Sequence, residues 1–222
     1  MRRCLSYLKY HLIGSDLLKM SNQIKRSVLL SLIVITLAKL IIGVFFVDQM
    51  QVESVFNFVS VFHVGTSPWE SFSLNGDYSV FPYPALMLYV YKVMQMILVF
   101  FNSAPQWMTN LIYIIPIISA DLGCFFVFQK MFPKKSGKIL FFYFLSPVVI
   151  YASFFLGHLD LIAIFFLLLS LYYLQKRQYI AVSVALALGF SVKIPMLFAL
   201  PLILVYLYRI VQRNRVEIIS KS

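Results

Sequence analysis

The stretch SVLLSLIVITLAKLIIGVFFV, residues 27–47, decides how the rest of the chain is read. It is continuously apolar except for one charge, Lys39. A helix rising 1.5 Å per residue needs about 20 such residues to cross the hydrocarbon core of a bilayer. A strand of a membrane barrel would instead alternate apolar and polar residues over about ten positions. No such alternation is present, so the segment reads as a membrane helix that satisfies its own backbone hydrogen bonds.

Six further runs share this character: Phe81–Phe101, Trp107–Phe128, Ile139–Leu156, Leu159–Leu174, Tyr179–Val192 and Met196–Val211. The expectation is an all-α, polytopic bundle of about seven helices, several of them shorter than a full crossing. Pro116, Pro147 and Pro195 fall in or beside these runs. A proline there is either an ordinary kink or the mark of a broken helix lining a cavity. Composition agrees with the membrane class. Of 222 residues, 61% are hydrophobic and only 12% charged, with a mean hydropathy of +0.87. A soluble domain carries about a quarter charged residues, and a globule of this size has too little interior for so much apolar surface.

The net charge of +11 does not call for nucleic acid, because its distribution is uneven. Arg2, Arg3, Lys9, Lys19, Lys25 and Arg26 precede the first span, in a segment (1–26) without the apolar core of a signal peptide. Leu5, Leu8, Leu12, Leu17 and Met20 could give it a loose apolar face on the membrane surface. The segment after the first span, residues 48–80, holds Asp48, Glu53, Glu70 and Asp77 and no Lys or Arg. The positive-inside rule then puts the N-terminus in the cytoplasm and makes 48–80 the one large extracytoplasmic loop. Within it Val52, Val55, Phe56, Val59 and Phe62 recur at helical spacing, predicting an amphipathic helix on the outer surface. Gly65-Thr66-Ser67-Pro68-Trp69 then turns the chain. Trp69 and Tyr83 suit the headgroup region.

Basic clusters recur at Lys130–Lys138, Lys176–Arg177 and Arg209–Arg215, the last reaching into a basic tail, 212–222. Each is separated from the next by two spans, so all three belong on one side. Two full crossings between residues 81 and 129 would put that side outside. Either a segment there is re-entrant or split, or the later loops depart from the rule.

Ionisable residues inside or between spans are costly and tend to be functional: Lys39, Lys92, Asp121, His158, Asp160 and Lys193. Asp121 is a natural partner for Lys39 or Lys92, and a structural ion pair in the bundle is the plainer reading. His158, Asp160 and Lys193 converge if their two loops face the same side. Lys193 would then hold an anionic phosphate and Asp160 a sugar hydroxyl, unless both are simply helix ends. Cys4 and Cys124 fall in different places and indicate no disulfide, and no metal-ligand spacing occurs.

Several of these features stand in an order that resembles a known family. Asp48 directly follows the first span, and Gly65-Thr66-Ser67-Pro68-Trp69 comes next. Phe81-Pro82-Tyr83-Pro84 opens the second span. Ser146-Pro147, Gly157-His158-Leu159-Asp160 and Lys193-Ile194-Pro195 follow in turn. Together they resemble the N-terminal module (27–211) of GT-C superfamily membrane glycosyltransferases, most closely the polyprenol-phosphate-mannose-dependent mannosyltransferases. Phe-Pro-Tyr-Pro and Ser-Pro depart from that family's Tyr-Pro-Pro and Asn-Pro.

The resemblance implies transfer of a sugar, mannose by analogy, from a polyprenyl-phosphate donor to an acceptor hydroxyl at the extracytoplasmic face, with inversion and without a cofactor. Asp48 would be the general base. Lys193 would stabilise the leaving phosphate with His158 assisting, and Asp160, Asp77 and Glu53 would line the substrate site. Family members usually extend beyond this module, so the resemblance also implies a truncated or split enzyme with a second membrane subunit. The competing readings are a transporter or flippase, and a non-catalytic subunit of a glycosyltransferase complex.

Overall fold

The computed structural model describes residues 26–62, 69–70, 83–101, 104–206 and 208. These residues contain no strand. Their helices are α1 (Arg26–Phe46), α2 (Gln49–Ser60), α3 (Ala85–Val99), α4 (Gln106–Met131), α5 (Ser136–Phe144), α6 (Pro147–Phe155), α7 (Asp160–Gln175), α8 (Tyr179–Phe190) and α9 (Ile194–Tyr206). Asp77, Cys4, the Gly65–Pro68 turn, Phe81, Pro82 and the Arg209–Arg215 cluster lie outside the described residues.

Two helices are long and apolar enough to cross a membrane, α1 and α4, and a third if α5 and α6 count as one span bent by 50°. The other expected spans are shorter. Helix α3 has 15 residues, α7 has 16 and α8 has 12, against the roughly 20 of a full crossing. Pro116 does not break α4, which continues through it for 26 residues. Pro147 does mark a break. The last five residues of α5 and of α6 are π-helical, Leu140–Phe144 and Tyr151–Phe155, and Pro147 opens α6 between them.

Packing fixes the relative directions. Helices α1 and α4 are antiparallel: Asn110 Nδ2 donates to Val44 O at 2.8 Å, Gly43 faces Ile114, and Lys39 meets Asp121. Helix α7 runs parallel to α4, with Gly123 against Phe165 and Lys130 Nζ 5.9 Å from the Tyr172 ring. Helix α8 returns antiparallel to α7, bringing Gly189 to Phe166 and Lys193 to Asp160.

These directions bear on the charge pattern. The N-terminus of α4 lies beside that of α2, where Gln106 Nε2 donates to Gln49 Oε1 at 2.5 Å. The chain therefore leaves α1 and enters α4 at the same end of the bundle. The first turn of α3 is held near that end too, with Leu86 N–H donating to Ser191 O at 3.1 Å. Consequently Lys130–Lys138 and Lys176–Arg177 sit at the opposite end, level with the start of α1. Among the described residues, these two clusters share one end of the bundle because α3 and α4 both start at the other.

The expected amphipathic helix in 48–80 exists as α2, but it is part of the bundle rather than a surface strap. Val52, Val55, Phe58 and Val59 are buried in the main core with Met87, Tyr91, Tyr113 and Ile117. Helix α3 is held against it by Lys92 Nζ donating to Val59 O at 3.3 Å and by Gln95 Nε2 donating to Phe56 O at 3.4 Å.

Candidate functional site

Asp48 sits in the two-residue link between α1 and α2, and local chemistry explains its place. The first amides of a helix have no intrahelical acceptor. Asp48 takes an extended conformation and its Oδ1 accepts from Met50 N–H at 3.0 Å, capping α2. Its own amide donates to Phe155 O at 2.8 Å. Phe155 ends α6, where terminal carbonyls also lack partners.

The loop after α6 is shaped by Gly157, whose φ of 67° is open to glycine at little cost. Tyr113 Oη donates to Gly157 O at 2.6 Å, and His158 N–H donates to Ala152 O at 3.0 Å. A Cβ at Gly157 would stand 3.0 Å from Val47 Cγ2 and 3.3 Å from Tyr113 Cε1. The loop therefore lies directly against the α1–α2 link. Leu159 is fully buried beneath it, while His158 is exposed and its side chain has no hydrogen bond or ion pair among the described residues.

Asp160 opens α7, and Lys193 stands in extended backbone between α8 and α9. The two form an ion pair, part-exposed at 46% and 29% respectively. Tyr83 is buried beside them, with Lys193 Nζ 6.0 Å from its ring centre. Burial pushes the Tyr83 phenol above its ordinary range, and the Asp160 carboxylate adds to this, against hydrogen bonding by the Leu159 backbone and the Gln51 side chain. A cleft of about 540 Å³ opens next to this group, lined by Trp69, Tyr83, Pro84, Phe190, Ser191 and Ile194. Its walls are aromatic and apolar with cationic Lys193 nearby, which suits a ligand with both a ring face and an anion.

The residues singled out in the sequence thus separate. Asp160 and Lys193 are brought together, as convergence of their loops required. Asp48 joins the same end through the backbone of Phe155, with its carboxylate exposed and occupied as a cap. Glu53 is exposed on α2. Asp77 lies outside the described residues. Lys193 is already neutralised by Asp160, so an arriving phosphate must displace a carboxylate. Sequence reasoning missed the aromatic support beneath the site. Tyr91 and Tyr113 stack with ring centres 5.3 Å apart, Tyr91 Oη donates to Tyr113 O at 3.0 Å, and Phe56 packs edge-on against both. Phe56, Tyr91 and Tyr113 come from three separate helices, so no spacing in the sequence announces their packing.

Lys39 and Asp121 belong to a separate constellation in the middle of the bundle. Their charged atoms are 2.5 Å apart and the side chains are 1% and 0% exposed. Tyr143 Oη donates to the other carboxylate oxygen at 2.9 Å, and the Phe144 ring centre lies 3.7 Å from Lys39 Nζ. Both charges are matched within a fully buried pair, the arrangement of a structural clamp. No group of three His, Cys, Asp or Glu side chains placed to hold a metal occurs among the described residues.

Comparison of the chain with known protein families, with curated proteins and with solved structures returns no match in any of the three.

Proposed function

We propose that this chain is a membrane-embedded sugar transferase of the GT-C type, or the donor-binding half of one. It would use a polyprenyl-phosphate-linked sugar, mannose by analogy, at the membrane face where α1 ends. The observation that carries the reading is the hydrogen bond from Asp48 N–H to Phe155 O. It ties the candidate base to the Gly157–Asp160 loop, and through Asp160 to Lys193 and Tyr83, so that motifs scattered over about two-thirds of the sequence share one end of the bundle.

In this reading the acceptor hydroxyl loses its proton to the Asp48 carboxylate while its oxygen attacks the anomeric carbon. The bond from that carbon to the phosphate oxygen breaks with inversion, and polyprenyl phosphate leaves. Lys193 exchanges Asp160 for the departing phosphate, whose charge it stabilises. Positioned bases contribute about 100- to 10,000-fold. The N-terminus then lies in the cytoplasm, with the described basic clusters on the same side.

A second reading is favoured by one observation. Asp160 neutralises Lys193, as expected if the chain is a non-catalytic subunit whose partner supplies the chemistry. The Lys39–Asp121 pair, buried and mutually matched, does not itself offer the mobile charge that a transporter or flippase reading would draw on.

The deciding experiment is transfer of labelled mannose from a polyprenyl-phosphate donor in reconstituted membranes, comparing wild type with Asp48→Asn. Transfer by wild type and at least a 100-fold loss in the variant supports the assigned base. Equal transfer by both removes it. Transfer that needs a co-expressed membrane partner, and is indifferent to Asp48, selects the subunit reading.

A further inference from the structure

The end of the bundle opposite the candidate site carries Lys130, Lys134, Lys135, Lys138, Lys176 and Arg177, all exposed. Of the described carboxylates, Asp48, Glu53, Glu70 and Asp160 belong to the other end, and Asp121 is enclosed with Lys39. No salt bridge among the described residues involves any of these six cations. Among the described residues the charge there is uncompensated.

One place at this end is a pocket rather than a plain basic surface. Between the last turn of α4 and the first turns of α5, a hollow of about 300 Å³ is walled by Phe128, Phe132, Ile139 and Phe142, with Lys135 and Lys138 at its edge. Lys135 Nζ lies 5.7 Å from the Phe132 ring centre. Phe132 and Phe142 are 42% and 74% exposed, so the apolar wall continues outward onto the lateral surface of the bundle. Two cations over an apolar slot that opens sideways make an amphiphilic receptacle. A soluble anion would leave the phenylalanine wall wet, and a neutral lipid would leave both lysines without a counter-charge.

We propose that this hollow binds one anionic glycerophospholipid, its phosphate between Lys135 and Lys138 and the start of an acyl chain along Phe132 and Phe142. The proposal rests on the bundle being membrane-embedded and is independent of sugar transfer. A lysine near an anionic headgroup contributes about fivefold in affinity, so the pair accounts for roughly 30-fold.

The test uses the full chain in detergent, titrated with phosphatidylglycerol and read by native mass spectrometry. The comparators are phosphatidylcholine and water-soluble glycerol 1-phosphate. Wild type is expected to retain one phosphatidylglycerol and to bind either comparator at least tenfold more weakly. Lys135→Gln with Lys138→Gln should weaken phosphatidylglycerol about 30-fold, Lys134→Gln on the same turn by less than twofold, and Lys135→Arg with Lys138→Arg should restore binding. Phe142→Ala, which keeps both charges, should also weaken it, which guards against misfolding of the glutamine variant. Equal effects of Lys134→Gln and the double variant, or equal retention of phosphatidylcholine, overturn the site. A chain that stays soluble without detergent and retains no lipid of any kind overturns the membrane reading instead.

Discussion

Tyr113 and Gly157 stand 44 residues apart in sequence, and the tyrosine hydroxyl donates to the glycine carbonyl at 2.6 Å. That bond anchors the candidate-site loop to the middle of α4's apolar face. Position 157 is constrained as well by its positive φ and by Val47 and Tyr113, which a Cβ would meet at 3.0 and 3.3 Å.

Gly157→Ala is therefore expected to lower stability by about 1–3 kcal/mol, from the left-handed backbone and the crowding against Val47 together. Thermal unfolding in detergent measures it. Hydrogen exchange at the Asp48 amide should quicken in the same variant, because its acceptor, Phe155 O, ends α6 just before the displaced loop. An unchanged midpoint would show that the loop yields freely.

Asp48 has two roles that substitution separates. Asn caps a helix about as well as Asp, whereas Ala leaves the Met50 amide without its acceptor. Asp48→Asn should change stability by a few tenths of a kcal/mol and Asp48→Ala should cost about 1 kcal/mol. Equal melting of the two variants would show that the cap contributes nothing.

Lys39→Met and Asp121→Leu should each destabilise the bundle by about 3–5 kcal/mol, since either one strands a buried charge. The double variant should recover most of that loss, because an apolar pair of similar volume needs no solvation. Unfolding midpoints of the four proteins close the cycle. Additive losses would contradict the pairing.

Gly123 is the most closely packed of the described glycines, with a notional Cβ only 2.5 Å from Phe165 Cε2. Gly123→Ala should push α4 and α7 apart and cost about 1–3 kcal/mol. In the background of Phe165→Leu the same change should cost measurably less, and the difference is the coupling between the two helices.

Much of this architecture could be read from the chain alone, and physics explains where reading stopped. Continuous apolarity identified the helices other than α2, which its amphipathic spacing announced, because lipid or core on all sides removes the need for a polar face. It also gave α3 the length of a full crossing, Phe81–Phe101, where the helix has 15 residues, since hydropathy does not say whether an apolar run meets lipid or protein. Residues 85–99 are the instructive case. The basic clusters required either a segment between 81 and 129 that does not cross or later loops that depart from the rule, and the Leu86–Ser191 and Gln106–Gln49 contacts place the starts of α3 and α4 at one end of the bundle. The Lys39–Asp121 pair was legible because few buried groups could neutralise that lysine. Convergence of Asp160 and Lys193 followed from counting helices, but their mutual neutralisation did not, since charge type alone leaves the partner open. The π-helical turns around Pro147 have no residue signature that would announce them.

The clamp between Lys39 and Asp121 also sets a schedule. The two residues are 82 positions apart, and at ribosomal speeds of 5–20 residues per second roughly 4–16 s separate their synthesis. Throughout that interval α1 exists with a lone ammonium group in the middle of its apolar surface. It cannot settle cheaply into lipid until α4 emerges with the matching carboxylate. Assembly of this bundle is thus held open at its first helix and closed by a later one, so the order in which the chain is made becomes part of how it folds.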